Sequence, residues 1–492
     1  MKYDVIIIGS GLGGLESAYI LARAGMSVLV LEGGAQPGGC LQSYKRHGQA
    51  FDTGFHYVGG LGEGQSLYAA FRHLGLLRLP WQHLDSNFDR ITIGNRTFAF
   101  AEGYGAFANT LAAEFPAERE ALNRYVNLLR YSGMQQFGAL NPQAGKSLQP
   151  SSILFETGAC QYLKETFRDP LLINVLCGTS LKMELRWESL PLFTFAHAGS
   201  SFVESSWRLK GDGSQIVNSL ASDILSFGGK IICNAEVQEL VEKDGRLVQA
   251  ICANGETYEG NSFISNAHPA VTCDLVKRSE RMKKVYRNRI HRLENTLGMF
   301  TVSLRIKPKT LKYFNHNQYV YQRPNVWTFY LNDGPVEGVM ISCRVPEDGS
   351  EYAQQIDLLT PMTWDKCKQW SNTTVGRRGN EYRLMKKRMA EECITLAERF
   401  IPGLREMTAE CYTSTPLTYR DYTHTPEGSA YGLRKDFRNP LMTMLSPRTP
   451  IPNLFLTGQN LILHGVHGVT MTALFTCAEI LGKEEIWKIV KH

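Results

Sequence analysis

Residues 3–32 of this chain read YDVIIIGSGLGGLESAYILARAGMSVLVLE, and this stretch decides the fold. An apolar run ends at glycines spaced G-x-G-x-x-G, and a segment rich in Ala and Leu follows as far as Ala24. A second apolar run, Val28 to Leu31, then ends at Glu32. A strand, a glycine turn, a helix, a second strand and an acidic residue in this order predict the βαβ unit that binds a dinucleotide.

Each part of this unit has its own physical task. Gly9 permits the tight turn, Gly11 lets the backbone approach a pyrophosphate, and Gly14 lets the helix pack closely against the sheet. The N-terminus of the helix offers free N–H groups to phosphates, and Glu32 can accept hydrogen bonds from a ribose diol. The expected cofactor contacts in this unit are Gly9, Gly11, Leu12, Gly13, Gly14 and Glu32.

The segments that follow indicate which dinucleotide is bound. A second glycine pair stands in Pro37-Gly38-Gly39-Cys40, and the segment FDTGFHY follows at residues 51–57. A nicotinamide dehydrogenase has no need of this pair, whereas glutathione-reductase-type flavoproteins lay an extended FAD along such a loop. The sequence therefore favours FAD.

The C-terminal region supports FAD independently. Residues 453–459, NLFLTGQ, are typical of a short strand that runs into a glycine turn, and His467 to Thr470 open an apolar helix that reaches Leu481. The N-terminus of that helix could face the pyrimidine end of a flavin, where negative charge accumulates on reduction. No Cys or His near the ring carries a convincing signature of covalent attachment, so we expect noncovalent FAD.

On these residues the chain resembles the phytoene desaturase, carotenoid isomerase and retinol saturase branch of the FAD-dependent amine-oxidase-like superfamily. The resemblance covers nearly the whole length, and its motifs are most similar to the retinol saturase side. Carotene desaturases usually have Arg after the glycine pair, where this chain has Cys40. Further motifs that carry the resemblance are GDGSQ at 211–215, ISNA at 264–267, STP at 414–416 and PEGSAYG at 426–432.

The resemblance implies an α/β fold, a glutathione-reductase-like Rossmann FAD domain with a discontinuous α+β substrate domain. It implies that residues 1–75, 200–280 and 449–492 form the FAD domain, and that residues 76–199 and 281–448 form the substrate domain. The length of the chain agrees with two domains, because 492 residues exceed what one compact core usually holds. The further flavin contacts that it implies are Gly38, Gly39, Cys40, Thr53, Gly54, Phe55, His56, Val237 (through its backbone, at the adenine), Gly458, Gln459, Gly468 and Val469.

Composition excludes several classes. The net charge of +6 is a mild excess, and no nucleic-acid-binding signature accompanies it. The eleven cysteines are scattered without C-x-x-C pairs, which is typical of reduced thiols in a cytosolic protein. No signal-peptide pattern precedes the first strand and no apolar run approaches a membrane span, so we expect a cytoplasmic protein. His464 and His467 lack supporting ligands, so no metal site is predicted.

Two segments admit two interpretations each. The basic stretch Lys277–Arg292 could be a helix on an anionic membrane surface, with an apolar stripe of Met282, Val285, Tyr286 and Ile290. The alternative, which the prevalence of solvated charge runs favours, is an exposed edge helix. Aromatic residues between Tyr319 and Tyr330 could line an apolar channel, although alternating aromatics in strands more often pack a core.

The resemblance implies chemistry at a carbon–carbon bond, in which flavin exchanges a hydride and the protein handles a proton. The catalytic candidates are His56 and His467, with His464, Tyr57 and Tyr431 as further proton handlers. The alternative for each histidine is a hydrogen bond to flavin or backbone without titration. No second dinucleotide motif is evident, so NAD(P)H could act only as a transient reductant.

Four functions remain open. The leading one is an FAD-dependent oxidoreductase that saturates or desaturates a bond of an apolar polyene or isoprenoid. The second is a redox-neutral polyene cis–trans isomerase that uses reduced FAD. A flavin amine oxidase is disfavoured by the polyene-type motifs. A non-enzymatic lipid carrier of this fold is disfavoured by the intact Gly9, Gly11, Gly14 and Glu32, because a carrier needs no pyrophosphate site.

Overall fold

The computed structural model describes residues 2–143, 152–183 and 186–491. Its strands in chain order are β1 (Lys2–Ile8), β2 (Val28–Leu31), β3 (Ser43–Arg46), β4 (Gln49–Asp52), β5 (Val58–Gly59), β6 (Trp81–His83), β7 (Asn87–Ile93), β8 (Arg96–Ala101), β9 (Ser206–Leu209), β10 (Lys230–Ile232), β11 (Val237–Lys243), β12 (Arg246–Cys252), β13 (Thr257–Ser265), β14 (Gly298–Ile306), β15 (Asn317–Tyr321), β16 (Gly338–Cys343), β17 (Gln355–Met362), β18 (Thr408–Ser414) and β19 (Leu454–Leu456).

Helices connect these strands and cover the faces of the sheets. In chain order they are α1 (Leu12–Arg23), α2 (Tyr68–His73), α3 (Tyr104–Glu114), α4 (Arg119–Met134), α5 (Ser152–Glu156), α6 (Ala159–Thr166), α7 (Pro170–Leu176), α8 (Leu192–Glu204), α9 (Ser214–Ser226), α10 (Pro269–Leu275), α11 (Lys284–His291), α12 (Gly379–Ala397), α13 (Leu404–Met407), α14 (Pro416–Thr423), α15 (Pro440–Thr443), α16 (Gly465–Leu481) and α17 (Lys483–Val490).

The first large sheet contains the predicted βαβ unit. Its strand order is β10-β2-β1-β13-β12-β11, and β19 pairs with the C-terminal part of β13. The pairs β10–β2, β2–β1, β1–β13 and β13–β19 are parallel, whereas β11, β12 and β13 form an antiparallel meander. The carboxyl ends of the parallel strands β1, β2, β13 and β19 therefore share one edge, where such sheets bind ligands.

Both faces of this sheet are buried at β2 and at the C-terminal half of β1, which explains why Val5 to Ile8 and Val28 to Leu31 are continuously apolar. Val5 and Ile7 of β1 pack on the side of α1, α9 and α16, whereas Ile6 and Ile8 pack on the side of the meander. All four side chains are almost fully buried. The alternation of side chains along a strand divides one apolar run between two cores.

The second large sheet has the order β18-β14-β17-β16-β15-β7-β8 and is antiparallel except for the parallel pair β15–β7. One face packs on α12 through Phe300, Val302 and Leu358. The other face contributes Met299, Met340 and Leu359 to a core shared with α3, α4 and α8. This second face is the one that meets the functional cavity described below.

The strands of the two large sheets fall on either side of the division expected from sequence, because β1, β2, β10–β13 and β19 lie in one sheet and β7, β8 and β14–β18 in the other. The small sheet β5-β9-β6 draws strands from both sides of that division. The domain boundaries themselves stay a proposal.

The basic segment Lys277–Arg292 is not one amphipathic helix. Its helix, α11, has eight residues, and Met282 and Ile290 of the expected apolar stripe are 2% and 1% exposed. Val285 alone in that stripe is strongly exposed, at 82%. Arg287 turns inward and donates to the backbone carbonyls of Cys273 and Val276. Met282 and Ile290 thus pack into the first sheet's core, so the segment does not present the apolar stripe that the membrane-surface interpretation requires.

The aromatic run after Tyr319 packs a core, as the commoner alternative predicts. Tyr319, Tyr321, Trp327, Phe329 and Tyr330 are all buried in the core of the second sheet. All eleven cysteines are free thiols. In the part of the chain that the structure describes, no helix is both long and apolar enough to cross a membrane.

Candidate functional site

A cavity of about 460 Å³ lies where the carboxyl edge of the first sheet faces the second sheet. One part of its wall comes from the ends of β1, β2, β13 and β19, at Ile8, Leu31, Asn266 and Gly458. The opposite part comes from the second sheet and α14, and includes Met299, Met340, Leu359 and Tyr419.

Glycines bring three backbone segments together at the first part of the wall. The turn after β1 pairs with the second glycine pair through a Gly11–Gly38 bridge, and Gly38 donates its N–H to the carbonyl of Ser10 at 3.1 Å. A Cβ on Gly13 would lie 3.0 Å from the Cα of Gly458. Larger residues would push these segments apart, so the glycines build a wall of exposed backbone.

Two helices begin at this wall without a side-chain cap. The N-cap of α1 is Gly11 and that of α16 is His464, and at neither end does the side chain of the N-cap residue accept a hydrogen bond from the first-turn N–H groups. The uncapped N–H groups and the helix dipole make each end favourable for negative charge. Leu12 and Gly13 of α1, and Gly468 and Val469 of α16, line the cavity. The cavity can therefore hold a ligand with anionic groups at two places.

Glu32 closes the cavity at the end of β2. Its carboxylate accepts from the N–H and hydroxyl of Ser10 and from the N–H of Gly34, which lies 2.8 Å away. A carboxylate has about four acceptor positions. The three contacts leave capacity for a hydroxyl donor from the cavity, as a ribose requires.

The segment after the second glycine pair folds as a hairpin, β3–β4, that returns to the cavity. Thr53 donates its hydroxyl to the carbonyl of Cys40 at 2.9 Å, and Gly54 packs against the same carbonyl. Cys40 lines the cavity, and burial raises the pKa of its thiol to about 11. The thiol therefore stays protonated, and it does not replace the charge of the arginine that carotene desaturases have there.

The structure brings most of the sequence-predicted site residues to this one cavity. Those that line it are Gly9, Gly11, Leu12, Gly13, Glu32, Gly38, Gly39, Cys40, Gly54, Phe55, His56, Val237, Gly458, Gln459, His467, Gly468 and Val469. Gly14 and Thr53 do not. A Cβ on Gly14 would lie 2.1 Å from the carbonyl oxygen of Gly9, so Gly14 seats α1 against β1. Thr53 positions the backbone of Cys40.

The two histidines proposed for catalysis lie in the wall and are neutral at neutral pH. Burial lowers the pKa of His56 to about 4 and that of His467 well below its usual range. His467 hydrogen-bonds Gln136 through Nε2, and its ring lies 4.9 Å from that of His197, another wall residue. Nδ1 of His467 and Nε2 of His197 are buried without a hydrogen-bond partner among the described residues.

These features fit an FAD molecule. The glycine wall and the α1 end suit a pyrophosphate, Glu32 suits a ribose, and the α16 end suits the pyrimidine ring. His197 and His467, whose unpartnered ring nitrogens are buried, also line the cavity. FAD bound here would supply hydride chemistry. Among residues 2–143, 152–183 and 186–491, no group of three or more His, Cys, Asp or Glu side chains could hold a metal ion.

The sequence did not single out several wall residues. Lys182 and Phe202 line the cavity beside Tyr57, and Asp89 lies directly behind them. Lys182 ends a short turn, and no local sequence pattern marks it as a functional residue. Its partners Tyr57 and Asp89 lie far from it in the chain. Asn266 lies in the ISNA motif, but the motif predicted no cofactor contact for it. Its side chain lies against the turn after β1.

Comparison with known proteins agrees with this geometry. The model of the family described as "Flavin containing amine oxidoreductase" matches residues 12–481. Human all-trans-retinol 13,14-reductase is 26% identical over 547 residues, which cover 100% of this chain and 87% of that protein. Prolycopene isomerase 2 of an Oncidium hybrid cultivar is 24% identical, with 93% of this chain and 80% of that protein covered.

A solved structure shares the fold. Wild-type putrescine oxidase bound to putrescine superposes with a TM-score of 0.66 at 14% identity, and covers 98% of this chain and 99% of the other. This likeness confirms the predicted fold class, and the family match confirms the resemblance read from the motifs. The chain therefore belongs to the flavin-containing amine oxidoreductase family, and it is an FAD-dependent oxidoreductase.

Proposed function

We propose that the protein uses FAD to saturate or desaturate a carbon–carbon bond of an apolar polyene, such as a retinoid or carotenoid. The observation that carries this proposal is the composition of the cavity wall on the second sheet. Met299, Met340 and Leu359 of the second sheet, together with Ala430, supply apolar surface to the cavity that the glycine wall also lines. A hydrocarbon bound there would replace water at apolar side chains, which is favourable, whereas an amine would lose hydration.

Within this proposal, saturation is the favoured direction. A relative that covers the whole chain is named for reduction at the 13,14 position of retinol. The Gly39-Cys40 variant also places the chain nearer to saturases than to desaturases.

The second candidate is the polyene isomerase, and similarity to prolycopene isomerases over 93% of the chain favours it specifically. Isomerisation consumes no electrons, so the two candidates differ in stoichiometry. An amine oxidase and a non-enzymatic carrier have less support, because the wall at the second sheet is apolar and the backbone wall for the pyrophosphate is intact.

We propose FAD contacts among the residues that line the cavity. Gly9, Gly11, Leu12 and Gly13 would hold the pyrophosphate, and Glu32 the adjoining ribose. Val237 would meet the adenine through its backbone. The remaining contacts, on the flavin side, would be Gly38, Gly39, Cys40, Gly54, Phe55, His56, Gly458, Gln459, Gly468 and Val469.

The reductant and the route of the substrate are also proposed. NAD(P)H would act as a transient donor, without a Rossmann unit of its own. We further propose peripheral contact with anionic lipid through exposed Lys277, Arg278, Lys283 and Lys284. Since the neighbouring Met282 and Ile290 are buried, this contact would be electrostatic. It would keep the enzyme near a source of apolar substrate.

The test is a spectroscopic comparison of substrate classes. Anaerobic enzyme reduced with dithionite is mixed with all-trans-retinol or with prolycopene, and oxidised enzyme is mixed with putrescine. We expect flavin reoxidation by a polyene, seen as recovery of yellow absorbance, and no reduction by the amine. Flavin reduction by putrescine, together with no response to either polyene, would overturn the proposal in favour of an amine oxidase.

A further inference from the structure

Five polar side chains form one buried network beside the apolar part of the cavity. The hydroxyl of Tyr57 lies 2.8 Å from Oδ2 of Asp89 and 2.8 Å from the hydroxyl of Tyr319. Lys182 donates from Nζ to the hydroxyl of Tyr57, and its Nζ lies 3.3 Å from Oδ2 of Asp89. Asn317 donates to the other carboxylate oxygen of Asp89 at 2.8 Å. Residues from four separate chain segments thus form one network, in which Tyr57 and Asp89 contact Lys182 directly.

The network is buried, and a buried charge is costly unless it is paired. The side chain of Asp89 is 0% exposed and that of Lys182 is 14% exposed. Asp89 receives donors from Tyr57, Lys182 and Asn317, so its carboxylate is well satisfied as an anion. This anion lies next to the ammonium group and favours its charged form.

The network is also open to the cavity on one side. Lys182 and Tyr57 both line it, as does Phe202, whose ring centroid lies 3.5 Å from Nζ of Lys182. Two of the three N–H bonds of the ammonium are engaged by Tyr57 and Asp89, side chains that the structure describes. The third N–H bond has no hydrogen-bond partner among the described side chains, and Lys182 belongs to the cavity wall.

An apolar substrate gives no reason to place a cation at its binding surface, whereas saturation of a double bond requires a proton. The histidines are poor donors, because burial keeps His56 and His467 neutral. Lys182 combines a position on the wall with a proton that it can release.

We propose that Lys182 is the general acid that protonates the substrate carbon during saturation, and that Tyr57 and Asp89 position its ammonium group; this inference rests on the proposed function. The double bond gains a hydride equivalent at one carbon, which reduced FAD supplies when bound. A new C–H bond forms at the other carbon as one N–H bond of Lys182 breaks. The amine is left neutral and regains its proton from water, and a two-electron donor such as dithionite restores the reduced cofactor.

Burial and the groups around Lys182 determine the pKa of its side chain. Burial lowers the pKa of Lys182 to about 8, and the negative charge of Asp89 acts against that shift. Burial and Asp89 raise the pKa of Tyr57 and Tyr319 well above their usual range, so both hydroxyls stay neutral. His464 hydrogen-bonds the backbone of Lys182, and burial lowers its pKa to about 4. Lys182 is therefore the group in this network that titrates near pH 8.

The first measurement needs no turnover. Protein labelled with ¹³C at the lysine Cε is titrated by NMR, and the Lys182 resonance is identified by its loss in Lys182→Arg. We expect this resonance to titrate near pH 8, and Tyr57→Phe to shift its midpoint. A lysine that titrates near its ordinary pKa of 10.5 would contradict the arrangement, whatever the enzyme's activity.

The second measurement is a single turnover in D₂O with dithionite-reduced enzyme and all-trans-retinol, read by mass spectrometry and by flavin reoxidation. Lys182→Met should lower the rate by ~10²–10⁴-fold while dithionite still reduces the flavin. The parent rate should fall as pH rises through about 8, because the acid must be protonated. Lys386→Met, at a half-buried lysine that does not line the cavity, is the control and should keep the parent rate.

Two further variants distinguish loss of the proton donor from loss of folding or of positive charge. Lys182→Met leaves Asp89 buried without a cation, so Lys182→Met with Asp89→Asn restores the charge balance if the single variant fails to fold. Lys182→Arg keeps the positive charge but holds its proton too tightly, and should stay slow at normal retinol affinity. Parent-like turnover in the folded double variant would overturn the inference and leave the proposed function intact. A parent that reduces no polyene would instead refute the proposed function, while the NMR titration still tests Lys182.

Discussion

Removal of the carboxylate at the end of β2 should weaken FAD binding without unfolding the protein. Glu32 holds the turn after β1 through Ser10 and Gly34 and retains one free acceptor position. A hydrogen bond to a charged group contributes about 1.5–3 kcal/mol. Because about 1.4 kcal/mol changes an equilibrium constant tenfold, Glu32→Ala should raise the dissociation constant of FAD roughly 10- to 100-fold.

The assay is titration of apo-protein with FAD, followed by quenching of flavin fluorescence. Glu32→Gln keeps the shape and one acceptor oxygen but loses the charge, so its affinity should lie between those of the parent and Glu32→Ala. Glu259→Gln removes an exposed acid of the same sheet away from the cavity and serves as the control. Unchanged affinity in Glu32→Ala, with the parent's thermal stability, would show that Glu32 does not bind the ribose.

Three further predictions test the cavity, the core and the surface. Gly13→Ala should lose bound FAD, measured as flavin per protein, because its Cβ would crowd the glycine wall; Gly105→Ala, where a Cβ meets nothing within 4 Å, should keep it. Burial raises the pKa of Glu16 from 4.5 to about 8, so the stability that its protonated form contributes is full below pH 4.5 and is lost as pH rises through about 8. In Glu16→Gln, the decrease of Tm with rising pH should be smaller than in the parent by a few degrees, measured by thermal unfolding. Lys283→Glu with Lys284→Glu should reduce co-sedimentation with anionic liposomes several-fold at low salt, and binding of the parent to neutral vesicles at equal strength would refute the electrostatic contact.

The nucleotide-binding half could be predicted because its information is local. The G-x-G-x-x-G spacing, the run from Val28 to Leu31 and Glu32 lie within one supersecondary unit, and each has a fixed geometric task. The C-terminal strand and helix were recognisable for the same reason. The N-terminal unit and the C-terminal segment meet at Gly13 and Gly458, because both lie at the carboxyl edge of one sheet.

The substrate half could not be predicted, because its contacts join residues far apart in the chain. Asp89 meets Lys182 across 93 positions and Tyr57 meets Tyr319 across 262, and no spacing rule connects them. The basic segment admitted two interpretations for a related reason. The periodicity of Met282 and Ile290 is the same whether that face meets a membrane or a core, and tertiary packing decides between the two.

The most direct test of the proposed reaction compares the electrons lost by reduced FAD with the amount of product formed. Anaerobic enzyme that carries a known amount of reduced FAD is mixed with all-trans-retinol, and oxidised flavin and product are quantified together. The account predicts one saturated product, heavier by two hydrogens, for each flavin oxidised. Conversion of retinol or prolycopene to a geometric isomer with the flavin still reduced would contradict it and assign the protein to the isomerases.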